Sequence, residues 1–190
     1  MLNYLKQIDQ SLFLALNGCH SPFFDSFFWW ISNRYIWIPL YLFMAYLIIR
    51  KYKKQSWIII LSAIILVVIT DQTSVHFFKN VFMRYRPSHN SDLQGYIHIV
   101  NNYRGGLYGF VSSHAANSFG IALFTALFFK NRWYWWSILL WVVLVSYSRI
   151  YLGVHYPADI LGGMILGSFW AVILFLSTKK LLKINNKTIS

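Results

Sequence analysis

The sequence predicts an all-α integral membrane protein: a bundle of five to six transmembrane helices with an N-terminal interfacial or re-entrant helical segment. Three observations carry this. The 190 residues are 57% hydrophobic and 20% aromatic but only 12% charged, which is not the composition of a water-soluble globule. Apolar runs of the length needed to cross a bilayer, about 20 residues, recur along most of the chain. The cations gather at the ends of those runs or in short loops, leaving the runs themselves almost free of charge.

In chain order, residues from about Leu5 to Ser32 mix apolar and polar positions, with Asp9, Asn17, Asp25 and a Ser21-Pro22 break, and read as two interfacial or re-entrant helices. Spans follow at about Tyr35 to Ile49, Trp57 to Phe78, Ser113 to Phe129, Trp133 to Tyr147 and Pro157 to Ser177. The polar stretch from Lys79 to Val111 is the only sizeable loop. Trp133 to Trp136 read as an interfacial aromatic belt, and Gly163 with Gly167 as a small-xxx-small site of close helix packing. There is no repeat or linker, so residues 1–190 form one domain. No small-residue cleavage site follows a long apolar core, so no cleavable signal peptide is expected. Cys19 is the only cysteine, which excludes an internal disulfide.

Charge sets orientation. Seventeen Lys and Arg stand against five Asp and no Glu, a net charge of +12. Without a basic stripe on a soluble face this does not describe a nucleic-acid binder, and anionic membrane lipids are the expected partner. The 50–54 loop, the 130–132 turn and the tail at 179–187 carry four, two and four cations, so ten of the 17 share one side, which should be cytoplasmic. The 79–111 loop and the 148–157 turn then share the opposite side and hold nearly all the unusual polar residues, so chemistry is expected there.

Three clusters fall on that side. Lys79 is followed by six residues and Arg86-Pro87; Val111-Ser112-Ser113-His114 opens the third span; Ser148-Arg149 is followed by five residues, His155, three residues and Asp159. Singly, each cation reads as an interfacial anchor and each histidine as a hydrogen-bonding residue of the interface. Together, three cations, a helix N-terminus, two imidazoles and a carboxylate suit a phosphate dianion. Lys79, Arg86 and Arg149 can neutralise a phosphoryl group, with bidentate contacts from each guanidinium. Ser112 is the expected N-cap of the third span, which would aim the amides of Ser113 and His114 at the same anion. Asp159, four residues after His155, can hold one ring nitrogen protonated and leave the other as a nucleophile, while His114 is the candidate proton donor to the leaving oxygen. One suitable carboxylate amid cations makes no metal site, and no cofactor is expected.

These clusters resemble the signature of the type 2 phosphatidic acid phosphatase superfamily: Lys-x6-Arg-Pro, then Pro-Ser-Gly-His, then Ser-Arg-x5-His-x3-Asp. The first and third match completely. The second departs at Val111, in place of Pro, and Ser113, in place of Gly, which puts the shape of that loop in question more than its chemistry. The resemblance covers roughly residues 57 to 178 and implies that Lys79, Arg86, Ser112 and Arg149 hold phosphate, His155 is the nucleophile, Asp159 orients it, and His114 is general acid and later base. Within the superfamily the Gly109-Phe110-x-Ser-Ser-His stretch is similar to lipid A phosphatases and undecaprenyl diphosphatases. The implied activity is metal-independent removal of phosphate from a lipid at the periplasmic face of a bacterial inner membrane, through a phosphohistidine.

A small transporter or channel is the rival class. It would need polar residues continuing through the membrane, yet beyond Asp71, Gln72 and Thr73 the spans are apolar. An inactive lipid-binding relative is disfavoured because no catalytic-type residue is missing. Arg84, His89, His98, Asn101, Asn102 and Arg104 lie in the loop expected to cover the site, where they are candidates to read a lipid headgroup; Asp71 and His76 are placed between functional and structural roles. The sequence carries no signal of oligomeric state.

Overall fold

In the computed structural model, which describes residues 2–183, the chain is helical apart from turns and one isolated antiparallel bridge, Tyr85 with Tyr108. Lys187, counted above with the basic tail, lies outside the described residues. Two N-terminal helices, α1 (Leu2–Asn17) and α2 (Pro22–Ser32), precede α3 (Ile38–Tyr52) and α4 (Ser56–Thr73). Helix α4 runs on through a π-helical turn, Ser74–Lys79, into the single turn α5 (Asn80–Phe82). After the long loop come α6 (Ser113–Phe129), α7 (Arg132–Tyr151) and α8 (Pro157–Leu181).

The stretches Arg34–Phe82 and Pro157–Leu181 are long and apolar enough to cross a membrane, and Ser113–Phe129 is a shorter apolar helix. Large apolar side chains such as Leu42, Ile64, Val68, Leu140, Ile165 and Phe169 face outward. Patches of that kind mark a surface that lipid or another protein covers.

Helices α6 and α8 form the centre. A Cβ on Gly163 would lie 2.6 Å from the Ser112 carbonyl, so glycine lets the two backbones approach closely where the small-xxx-small pattern predicts it. Gly120 packs against Gly167 in the same seam. Such close backbone packing is joined by buried hydroxyl contacts between the helices. Thr178 bonds Ser62 at 2.7 Å, Tyr134 bonds Thr125 at 2.8 Å, and Thr70 bonds Asn117.

One end of the bundle is basic. Tyr52 donates to the Phe128 carbonyl at 2.8 Å and Lys51 Nζ to the same oxygen at 3.3 Å, so the 50–54 loop and the α6–α7 turn are neighbours. Helices α1 and α2 dock at the other end. Asn17 is buried and donates to the carbonyls of His98, Ile150 and Tyr151 at 3.0, 3.2 and 2.8 Å, while Phe28 packs on Tyr151 with ring centroids 4.6 Å apart.

Helix α3 lies three residues later than expected and α8 runs on to Leu181, and two further boundaries differ where they bear on the site. Helix α7 continues to Tyr151, so Ser148 and Arg149 lie in its last turn, and the turn proper is only residues 152–156. The expected second span does not stop at Phe78 but passes through the π turn to Phe82, because Ser74 and Lys79 both bond inward to Ser113 instead of ending the helix.

Candidate active site

The motif residues converge at the end opposite the basic one, each set by a local rule. Ser112 caps α6, accepting from the Ala115 amide, so the amides of Ser113 and His114 open a first turn that has no intrahelical acceptor for them. Pro157 occupies the first turn of α8, where a missing N–H costs nothing. Asp159 stands at the third position of that helix and accepts the Tyr156 amide at 3.0 Å through Oδ2. The same oxygen lies 3.3 Å from His155 Nδ1. Gly153, at φ +75°, turns the chain between α7 and α8, and a side chain there would meet the His98 carbonyl at 2.8 Å.

The tautomer of His155 follows from its partners. Arg86 Nη1 lies 3.2 Å from Nε2, and a guanidinium can only donate. Nε2 is therefore the lone-pair nitrogen, and the proton sits on Nδ1, facing Asp159. Burial, together with the charges of Arg86, Arg149 and Lys79, holds the imidazole well below its usual range, so it is neutral. Arg86 itself is buried, donates through Nε to the Tyr108 carbonyl at 3.1 Å, and is pushed down to about 10 by that burial and by Arg149.

Arg149 is 3% exposed, so it is not a snorkelling anchor. Its Nη1 bonds Ser32 Oγ, its Nη2 bonds the Tyr103 hydroxyl at 3.3 Å, and its Nε–H has no partner among the described residues. A buried, unpaired charged donor is costly unless an anion completes it. Burial raises the Tyr103 phenol, but Arg149 and Arg86 outweigh that and hold it below its usual range. Lys79 Nζ donates to Ser113 Oγ at 2.6 Å. His114 is within electrostatic reach of His155, Arg149, Arg86 and Lys79. All eight candidate residues thus gather in one place, and no group of three or more His, Cys, Asp or Glu positioned for a metal occurs among the described residues.

The loop residues behave otherwise. His98 bonds Asp25 at 2.8 Å and stacks on His20, fastening the loop to the N-terminal helices. Arg104 donates to the Ser88 carbonyl at 3.0 Å, and His89 Nε2 lies 3.4 Å from the Gly105 carbonyl, so both serve the loop's own fold. Asn101 and Asn102 are exposed at positive φ. Arg84 turns inward: Nη1 bonds Asp159 Oδ1 at 2.9 Å and Nη2 bonds Asp9 Oδ2 at 2.5 Å. His76 faces outward and bonds Gln72 at 3.1 Å. Sequence reasoning missed Ser32, Tyr103 and Asp9 as neighbours of the site. Of these only Asp9, one of the chain's five carboxylates, carried a signal.

A sequence model of the PAP2 superfamily matches residues 55–183, about two-thirds of the chain and all three clusters. The chain belongs to the PAP2 superfamily. It is 42% identical over 167 residues to a lipid A 4'-phosphatase of Porphyromonas gingivalis, covering 87% of this chain and 71% of that one. It is 37% identical over 186 residues to a lipid A 4'-phosphatase of Bacteroides thetaiotaomicron, covering 95% and 81%. In fold it is similar to the transmembrane PAP2-type phosphatidylglycerolphosphate phosphatase of Bacillus subtilis, with a TM-score of 0.67, 21% identity, and coverage of 97% and 89%. As a PAP2-type phosphatase the chain has physical reasons for its two departures from the motif. Val111 is fully buried against Gly162 of α8, and Ser113 supplies the hydroxyl that receives Lys79.

Proposed function

We propose that this PAP2-type phosphatase removes a phosphate monoester from a lipid A-type glycolipid, through a phosphohistidine on His155 and without a metal ion. The observation that carries the reading is the His155 ring, neutral, with Nδ1–H facing Asp159 and Nε2 facing the guanidinium of Arg86. The relatives' activity supports the substrate class.

In the reaction the phosphoryl group enters among Arg86, Arg149, Lys79 and the first amides of α6. Arg86 turns from Nε2 to a phosphoryl oxygen, and the unpaired Nε–H of Arg149 gains an acceptor. The Nε2 lone pair attacks phosphorus in line while the bond to the lipid oxygen breaks, and His114, protonated once the phosphate dianion offsets the cations around it, supplies that oxygen's proton. Charge on the equatorial oxygens is met by fixed cations, the main requirement of phosphoryl transfer. His114, now neutral, takes a proton from water as the water attacks the phosphohistidine; inorganic phosphate leaves and His155 is restored. Cations supply the charge neutralisation that metals provide elsewhere.

The site faces the periplasm in this reading, with α3, α4, α6, α7 and α8 as the crossing helices. The clustering of the 50–54 and 130–132 cations at the far end supports this through the retention of basic residues in the cytoplasm. The test is phosphate release by purified protein from lipid A, undecaprenyl diphosphate, phosphatidic acid and phosphatidylglycerophosphate. Lipid A is expected to be the fastest; no release from lipid A would overturn the proposal.

A further inference from the structure

His155 and Asp159 do not form an isolated pair. Asp159 Oδ2 faces the imidazole, whereas Oδ1 accepts Arg84 Nη1 at 2.9 Å. Arg84 lies in the long loop with its guanidinium 4.2 Å from the centre of the Tyr156 ring, and its carbonyl accepts the Gly109 amide at 2.9 Å. Its second terminal nitrogen reaches Asp9 Oδ2 at 2.5 Å. Asp9 comes from α1, 75 residues from Arg84 in the chain, and its other oxygen accepts the amide of Ala158 at 2.9 Å in the first turn of α8. Charges therefore alternate from α1 inward, carboxylate, guanidinium, carboxylate, ending on the imidazole.

We propose that Arg84 and Asp9 are positioning residues that act in series through Asp159 to hold the His155 ring for attack. A carboxylate bonded on one oxygen only is free to rotate about its Cβ–Cγ bond. Bonds to Arg84 on Oδ1 and to Tyr156 N–H on Oδ2 remove that freedom, and a ring hydrogen-bonded to a fixed carboxylate keeps its orientation. Asp9 gives the guanidinium a second anchor and offsets its charge, so that Arg84 neither swings out nor draws Asp159 away from the ring. Tyr156, against the guanidinium face, limits the remaining movement. Arg84 reaches neither His155 Nε2, where phosphorus would bind, nor the unpaired Nε of Arg149. It is therefore placed to act on orientation and not on phosphate affinity.

The inference rests on His155 being the nucleophile of a lipid phosphatase. The test measures kcat and KM of the full chain in detergent for lipid A, with wild type, His155→Ala, Asp9→Asn, Asp9→Glu, Arg84→Gln, Arg84→Lys and the double variant Asp9→Asn/Arg84→Gln. Rates are normalised to monodisperse folded protein. Asp9→Asn keeps an acceptor for the Ala158 amide while discharging the contact to Arg84. Because misplacement by an ångström costs on the order of 100-fold, Arg84→Gln and Asp9→Asn should each lower kcat by about 10- to 100-fold with KM within about threefold. The conservative Arg84→Lys and Asp9→Glu should recover part of the loss. In series, the double variant should be no more than about threefold slower than Arg84→Gln alone. Losses that multiply, losses confined to KM, or single variants at the wild-type rate would each overturn the positioning role. A His155→Ala protein that kept its rate would instead overturn the underlying function.

Discussion

Gly109 offers a sharp test of how tightly the candidate site is built. A Cβ added there would lie 2.9 Å from Asp159 Oδ2, 3.1 Å from Arg86 Cγ and 3.6 Å from His155 Nδ1, where ordinary contact begins near 3.4 Å. Relief requires about 0.5 Å of movement, and the fixed partner is Asp159, held by Tyr156 N–H and Arg84. The backbone of Gly109 is not among the positive-φ glycines, so alanine brings contact without strain. With an ångström of misplacement worth on the order of 100-fold, half of that predicts roughly a tenfold fall in kcat for Gly109→Ala. KM should change less than kcat, because Arg149 and Lys79 are not touched and Arg86, the one phosphate-facing side chain that is crowded, is met at its Cγ and not at its guanidinium. Gly106→Ala is the control: its added Cβ meets nothing within 4 Å. Phosphate release from lipid A, measured beside thermal unfolding, checks this. A Gly109→Ala enzyme at the wild-type rate, or a loss equalled by Gly106→Ala, would refute the reasoning.

Other outcomes follow from the same geometry. Arg149→Lys keeps the charge but loses the fork that reaches Ser32, Tyr103 and the unfilled Nε direction, so phosphate release should fall by about 100-fold or more. The His155 imidazole of the free protein is held well below its usual value, so it stays unprotonated as pH falls through 6.5; the acidic limb of kcat/KM should lie under that pH, and an acidic limb above 7 would contradict it. For topology, single cysteines at the exposed Asn101 and Asn131, in a Cys19→Ser background, are labelled in intact cells by a reagent that cannot cross the inner membrane. Residue 101 should react and residue 131 should not; the reverse pattern would put the site in the cytoplasm.

Much of the site is legible in sequence because its parts obey local rules. Ser112 before an apolar run is a cap, Pro157 and Asp159 mark a helix start, and His155 with Asp159 sits at one helical turn's spacing. What escapes is whatever depends on distant chain segments meeting. Ser32 from α2 and Tyr103 from the loop hold Arg149, and Asp9 from α1 reaches Asp159 through Arg84. Nothing in the local pattern around Ser32 or Tyr103 reports the contact, and Asp9 shows only that it is a carboxylate, not what it meets. Arg84 and His98 read as headgroup-reading candidates in a loop covering the site for the same reason, since periodicity does not say which way a loop folds back. The extended ends of α4 and α7 were hidden because Lys79 and Arg149 look like helix stops, while tertiary partners let both remain helical and turned inward.

The central claim is that phosphate passes through His155. Purified protein is mixed with lipid A carrying radiolabelled phosphate, with EDTA present, quenched within the first turnover and separated under alkaline conditions. The account predicts acid-labile, alkali-stable label on the peptide containing His155, lost in His155→Ala and unaffected by the chelator. Full turnover with no protein-bound label, or label that persists in His155→Ala, would contradict it.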